Sequence, residues 1–231
     1  MKNDLIVFTS LFGDKFHKLY QAPVKDNSFV FTNNQKLKSE CELKGWNFIY
    51  LDVEIPNFIT SSYQRSNLQS KYVKFLKVVK DFPDLFNDKN HALYFDHKFE
   101  VKKNHIRDLL DIKRKGLIIR ETPRFKNTVY DEIQDAMRQA RYRERMPELK
   151  NWVKNKLLEG YSPDVRICNT GLMLYDLSNQ KVLDLCSEVY LATMEVLNPE
   201  CQVIWCILSQ KYKDHIKTLP WDQLLISWRA P

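Results

Sequence analysis

The stretch His91-Ala92-Leu93-Tyr94-Phe95-Asp96-His97-Lys98 decides how this chain is read. A short apolar run stops abruptly at a carboxylate followed by two basic side chains. Too short for a helix and rich in aromatic residues, the run reads as a buried strand. Asp96 then stands at its carboxyl end, and residues 98–101 continue the strand. Working outward, similar runs recur at residues 4–10, 28–32, 46–53 and 116–120, and at 166–175 with a turn inside. Between them the apolar residues fall at helical spacing over 61–79, 128–159, 178–196 and 200–211. Pro147 interrupts the second of these, and Ser178 is a plausible N-cap for the third. Strands alternating with helices predict an α/β fold: one mainly parallel central sheet flanked by helices on both faces. Ligands of such sheets sit beyond the carboxyl ends of the strands. The residues to watch are therefore Thr9-Ser10, Thr32-Asn33-Asn34, Asp52, Asp96-His97-Lys98 and Asn169-Thr170-Gly171.

With 231 residues, the chain is expected to form a single domain. Five Gly and nine Pro are too few for a long disordered linker. A net charge of +7 points to an anionic partner: nucleic acid, a membrane surface or a phosphorylated small molecule. The longest apolar stretches, such as residues 203–208, fall far short of the roughly 20 residues needed to span a bilayer. Asp4 and the brief run after it do not read as a secretion signal. Cys41, Cys168, Cys186, Cys201 and Cys206 form no CxxC pair, so buried, reduced thiols and a cytoplasmic setting are expected. P-loop, dinucleotide-fingerprint, zincin and nucleophile-elbow motifs are all missing from the sequence.

Several side chains could carry chemistry. Asp96 could hold a divalent cation or a sugar hydroxyl, or serve as a turn or cap residue. Lys71, Lys74 and Lys77, three apart, form a drifting stripe that either meets a diphosphate or solvates a helix face. Arg65, near the start of that helix, can grip two phosphate oxygens at once. The block Arg138, Arg141, Arg143, Arg145 reads as a solvated helix diluted by Asp135, Glu144 and Glu148, with nucleic-acid binding as the other reading. His215 could close a metal site begun by Asp96. Asp131, Glu132 and Glu200 are candidate bases. For Asp131 and Glu132 a role at a helix N-terminus is an equal alternative.

The ordered motifs resemble a known family. They are residues 6–14 (IVFTSLFGD); 29–34 (FVFTNN) with Gly45-Trp46; Arg65 to Lys71 before residues 92–98; Pro123-Arg124 with Val129-Tyr130-Asp131-Glu132; Gly160-Tyr161 with residues 169–173 (NTGLM); and residues 199–202 (PECQ). This set is similar to the glycosyltransferase-like domains of GT-A type that carry Asp-x-Lys in place of Asp-x-Asp. It is more distantly similar to family 8 glycosyltransferases. Asp96-His97-Lys98 matches the Asp-x-Lys motif, while Cys201 stands where the family has Asp, leaving Gln202.

The resemblance implies a GT-A-like domain over 1–231, with a nucleotide-binding half at about 1–103 and an acceptor half at about 104–231. It implies a transferase that moves a sugar from a nucleoside-diphosphate sugar, such as a UDP-sugar, to a glycan or other hydroxyl acceptor. Thr9, Ser10, Gly13, Thr32 and Asn33 would line base and ribose, and Arg65, Lys71 and Lys98 would meet the diphosphate. Asn169, Thr170 and Gly171 would border the sugar, and Asp96, Glu132, Glu200 and Gln202 would form the catalytic set. Asp96 and His215 would bind Mn²⁺ or Mg²⁺, unless a lysine supplies that charge. The rivals are a basic module binding nucleic acid or another anionic polymer, and a GT-A fold that binds sugar nucleotide without turnover. The leading reading expects no nucleic acid.

Overall fold

The computed structural model describes residues 4–14, 19–112, 116–122, 126–223 and 227–228. In chain order the elements are β1 (Leu5–Ser10), β2 (Ser28–Thr32), α1 (Lys38–Leu43), β3 (Asn47–Tyr50), α2 (Ser62–Lys74), α3 (Val78–Asp81), α4 (Pro83–Phe86), β4 (His91–Phe95) and β5 (Phe99–Glu100). They continue with α5 (Lys103–Asp111), β6 (Leu117–Glu121), α6 (Val129–Ala136), α7 (Ala140–Arg143), α8 (Met146–Leu158), β7 (Cys168–Asp176), α9 (Gln180–Val196), α10 (Cys201–Leu208), β8 (Ile216–Leu219) and β9 (Ser227–Trp228).

Seven strands form one α/β sheet in the order β3-β2-β1-β4-β7-β6-β8. β1 runs parallel to β2 and β4, β2 to β3, and β6 to β8, while β7 is antiparallel to both its neighbours. The sheet is therefore mainly parallel, as the alternation of strands and helices predicts. Side chains alternate across it, and both faces are buried. Ile6, Phe8, Ala92, Tyr94, Met173 and Tyr175 join the core under α2, α6, α8, α9 and α10. Leu5, Val7, Leu93, Phe95, Leu172 and Leu174 join the core under α1 and α5. Two covered faces explain why these strands read as continuous apolar runs rather than as alternating ones.

Some boundaries differ from the sequence expectation. Residues 128–159 form three helices: Thr128 caps α6 reciprocally with Asp131, and Pro147 falls in the first turn of α8. Asn179, not Ser178, caps α9 through its own side chain. Residues 98–101 do not extend β4; β5 pairs with β9 in a separate two-stranded sheet. The segment 166–175 holds no turn; β7 runs through Thr170 and Gly171, with a register shift against β6 at Ile119/Arg120. The helix over 200–211 is α10 followed by a tighter 3-10 stretch over Ser209–His215.

β2 and β3 lie on one side of β1, and β4 lies on the other. The chain therefore switches direction across the sheet between β1 and β4. Connections leaving that point diverge and leave a crevice beyond the carboxyl ends of the two strands.

Candidate active site

A cavity of about 920 Å³ opens at this switch point. Ser10 ends β1 and leads into a loop that turns at Gly13. The Gly13 amide donates to Asn33 Oδ1 (2.9 Å), and its carbonyl accepts from Asn34 Nδ2 (3.2 Å). Only glycine suits this turn: φ is +87°, and a Cβ would lie 3.2 Å from the Ser66 Cβ of α2. α2 begins at Ser61, whose hydroxyl accepts from the Gln64 amide. It turns Ser62, Ser66 and Ser70 to the cavity at four-residue spacing, with Lys71 and Lys74 beyond them.

Asp96 lies at the centre. Its Oδ1 accepts from the Tyr94 hydroxyl (2.9 Å) and pairs with Lys74 Nζ (3.2 Å), while Oδ2 faces Lys98 Nζ at 3.8 Å. Tyr94 also meets the Ser10 hydroxyl at 3.3 Å, tying β1 to β4. Burial alone would raise the Asp96 carboxyl, but Lys74, Lys98 and Lys71 outweigh it and hold the group well below the usual carboxylate range. Burial likewise works against the Lys74 ammonium, and Asp96 more than compensates, so that Lys74 is raised. Gly171 keeps the space open: a Cβ there would lie 2.8 Å from Asp96 Oδ2, Asn169 Oδ1 and Phe99 Cε2.

Lys71 differs from Lys74. It is 6% exposed, and among the described residues no hydrogen bond or ion pair holds its ammonium. Burial drives its pKa down and the neighbouring Lys74 adds to the fall, against the pull of Cys201, Asp96 and Glu200. An unpaired ammonium in so desolvated a place is costly, and an anion bound in the cavity would relieve that cost.

Two buried carboxylates line the same cavity. Glu132 is bound on both oxygens, by Lys126 and by Gln202 Nε2 (2.7 Å). Glu200 precedes α10, and its Oε1 accepts from the Gln202 amide (3.0 Å). Burial and the neighbouring Glu132 push the Glu200 carboxyl up to about 7, against the pull of Lys71 and Arg141.

The cavity therefore brings together Ser10, Gly13, Lys71, Asp96, Lys98, Glu132, Asn169, Thr170, Gly171, Glu200 and Gln202. Other expected site residues stand elsewhere. Thr9 is fully buried within β1. Thr32 accepts from the Asn34 amide, and Asn33 holds Gly13 from behind the wall. Arg65 is turned away from the cavity, donating to the carbonyls of Pro56 (3.1 Å) and Ile59 (3.2 Å). Asp131 belongs to the α6 cap. Pro123-Arg124 lies outside the described residues.

His215 is separated from Asp96 by the length of the sheet. It immediately precedes β8, beside Gly116 and Asn179, at the edge where β4 begins rather than ends. The metal pair Asp96–His215 is thus not formed. Among the described residues no group of three His, Cys, Asp or Glu side chains could hold a metal ion. Asp96 already faces Lys74 and Lys98, so this donor set does not fit a divalent cation.

Sequence reasoning passed over Tyr94 and Lys126, and it had Lys74 only as one of a lysine stripe and Arg141 only as one of an arginine block. Tyr94 carried a signal, since it shares a strand face with Asp96 two residues on. Arg141 is not a solvated helix residue: it lines the cavity, donates to the Tyr63 hydroxyl (3.0 Å) and stacks on Tyr142. Arg143 is exposed, and Arg145 pairs with Glu148. The arginine block is thus divided rather than presented as one basic face.

No protein-family model matches the sequence, and no curated protein matches it. Among solved structures, apo mouse xyloside xylosyltransferase 1 is similar at 10% identity and a TM-score of 0.48, over 94% of this chain and 85% of that one. The apo structure of the bifunctional glycosyltransferase WbbM is similar at 9% identity and a TM-score of 0.49, over 97% of this chain and 42% of that one. Likenesses this distant carry neither the fold nor the activity, which are argued from the strand order and the cavity.

Proposed function

We propose that this chain is a GT-A-like glycosyltransferase that moves a sugar from a nucleoside diphosphate to a hydroxyl acceptor. One observation carries the reading: Lys71, a desolvated ammonium without a partner among the described residues, shares a switch-point cavity with the buried carboxylates Glu132 and Glu200. Sugar transfer needs both signs of charge in one pocket. Negative charge grows on the departing diphosphate, and cations placed beforehand stabilise it. Positive charge grows at the anomeric carbon, as in glycoside hydrolysis, and carboxylates favour it.

In this reading the loop from Ser10 through Gly13 takes the nucleoside, and Lys71 and Lys98 take the diphosphate. Asn169, Thr170 and Gly171 border the sugar. The bond between the anomeric carbon and the phosphate oxygen breaks, and the electron pair leaves with the nucleoside diphosphate. The acceptor oxygen bonds to the anomeric carbon. Its proton passes to Glu200, whose pKa of about 7 suits a base working near neutral pH. Glu132, already bound by Lys126 and Gln202, positions Gln202 against Glu200. In the same reading the nucleotide half covers about 1–103 and the acceptor half about 104–231.

The test is thermal stability against a panel of nucleoside diphosphates and nucleotide sugars, followed by mass spectrometry of products with simple glycosides. A ligand at about 100 times its dissociation constant adds about 2.7 kcal/mol. A selective rise with one nucleotide, and sugar transfer from it, are expected. A folded protein that none of them stabilises would overturn the reading.

A further inference from the structure

We infer that Lys74 is the resident cation of this site: held on Asp96, it occupies the place of a divalent metal, so the cavity binds a diphosphate without one. The inference rests on the glycosyltransferase reading only for naming the anion. Lys74 is 3% exposed, in the last turn of α2, with its ammonium 5.2 Å from the centre of the Tyr94 ring. It lines the cavity from the last turn of α2 and is held there by Asp96.

Asp96 Oδ1 already faces two donors, Lys74 and Tyr94, and Oδ2 faces Lys98. Three ammonium groups around one carboxylate, Lys71, Lys74 and Lys98 against Asp96, leave a net charge of +2, that of one divalent ion. Mn²⁺ and Mg²⁺ need several oxygen donors close to ideal geometry. Here the second carboxylate of an Asp-x-Asp pair is Lys98, and a metal at Asp96 would be repelled by the lysines already there. Glu132 offers no substitute, because Lys126 and Gln202 occupy its oxygens. Glu200 accepts from the Gln202 amide, and burial with the neighbouring Glu132 raises its carboxyl to about 7, so it is a poor metal ligand at neutral pH.

Two probes test this on the intact chain. Inorganic pyrophosphate is titrated calorimetrically in EDTA and again with Mn²⁺. Free Mn²⁺ is followed by its paramagnetic resonance signal as protein is added. Expected are binding in EDTA, less than about a threefold change in affinity with Mn²⁺, and an undiminished Mn²⁺ signal. Lys71→Met weakens pyrophosphate at least tenfold, and Lys74→Met, where it folds, does the same and lets Mn²⁺ bind. Pyrophosphate binding that requires Mn²⁺ overturns the inference, as does loss of the Mn²⁺ signal on wild-type protein that Asp96→Asn restores. Metal-free pyrophosphate binding with no response to any nucleotide sugar upholds the resident cation and overturns the donor reading. Donor binding that appears only with Mn²⁺ does the reverse.

Discussion

At the carboxyl edge of the sheet, Asp96 sits under Lys74 at 3.2 Å, and both Lys74 and Lys71 are buried. At the amino edge, Asp4 meets His91 at a similar 3.3 Å, but the Asp4 side chain is 48% exposed. His215 stands at that same edge beside Asn179. Each pairs an aspartate with a basic side chain at nearly equal distance; they differ in burial, with the Lys74 and Asp96 side chains 4% and 26% exposed against 14% and 48% for His91 and Asp4. In water a charge pair is screened and contributes little, whereas in a dry cavity each charge must be matched or await a ligand. The comparison teaches that a site is recognised by what its charges lack rather than by the presence of charge.

The strongest way to break the comparison is Lys74→Met. It leaves the half-buried Asp96 with Tyr94 and Lys98 but without its closest cation, and urea unfolding should show a loss of about 3 kcal/mol, the low end for a broken buried pair. The double variant Lys74→Met/Asp96→Leu should recover much of that loss. A single variant as stable as wild type would place this pair in the same class as Asp4–His91.

Glu200→Gln acts through pH. The folded carboxyl is raised from 4.5 to about 7. Its contribution is therefore fully present below about pH 4.5 and is lost as pH rises through about 7. The wild type should lose on the order of 1–3 kcal/mol between pH 5 and 8 from this group, and the variant should show a flatter profile. Transfer activity should fall sharply in the variant while donor binding persists.

Lys71→Met has the opposite sign on stability. It removes a desolvated charge that nothing in the described fold pairs, so thermal stability should rise by about 0.5–2 kcal/mol while anion binding is lost. A fall in stability would mean that the ammonium is better satisfied than its surroundings indicate. The smallest effect belongs to the amino edge. His215→Ala should change stability by about 0.5 kcal/mol and leave pyrophosphate affinity unchanged. Loss of binding there would join the two edges into one site.

Much of the sheet was legible because its code is local. Leu93 and Phe95 alternate with Ala92 and Tyr94 on a strand whose faces are both covered, and that pattern is visible within six residues. β8 was not legible, since Ile216–Leu219 reads as an exposed, lysine-bearing segment until it pairs with β6. In the site, Asp96 followed from its place after an apolar strand. Arg65 did not, because its guanidinium serves two loop carbonyls that no spacing rule links to it.

The lysine stripe marks the boundary between the two kinds of information. The sequence by itself determined that Lys71, Lys74 and Lys77 drift around one side of a helix, because about 100° per residue is a property of the backbone. It equally determined that Asp96 ends a strand. Only the tertiary structure decided that Lys74 meets Asp96, that Lys71 is buried without a partner among the described residues, and that Lys77 lies instead over the Tyr190 ring. Helical periodicity arises between neighbours in the chain. The state of a charge depends on what distant elements remove from water around it, and here those elements are β4, β7 and α10.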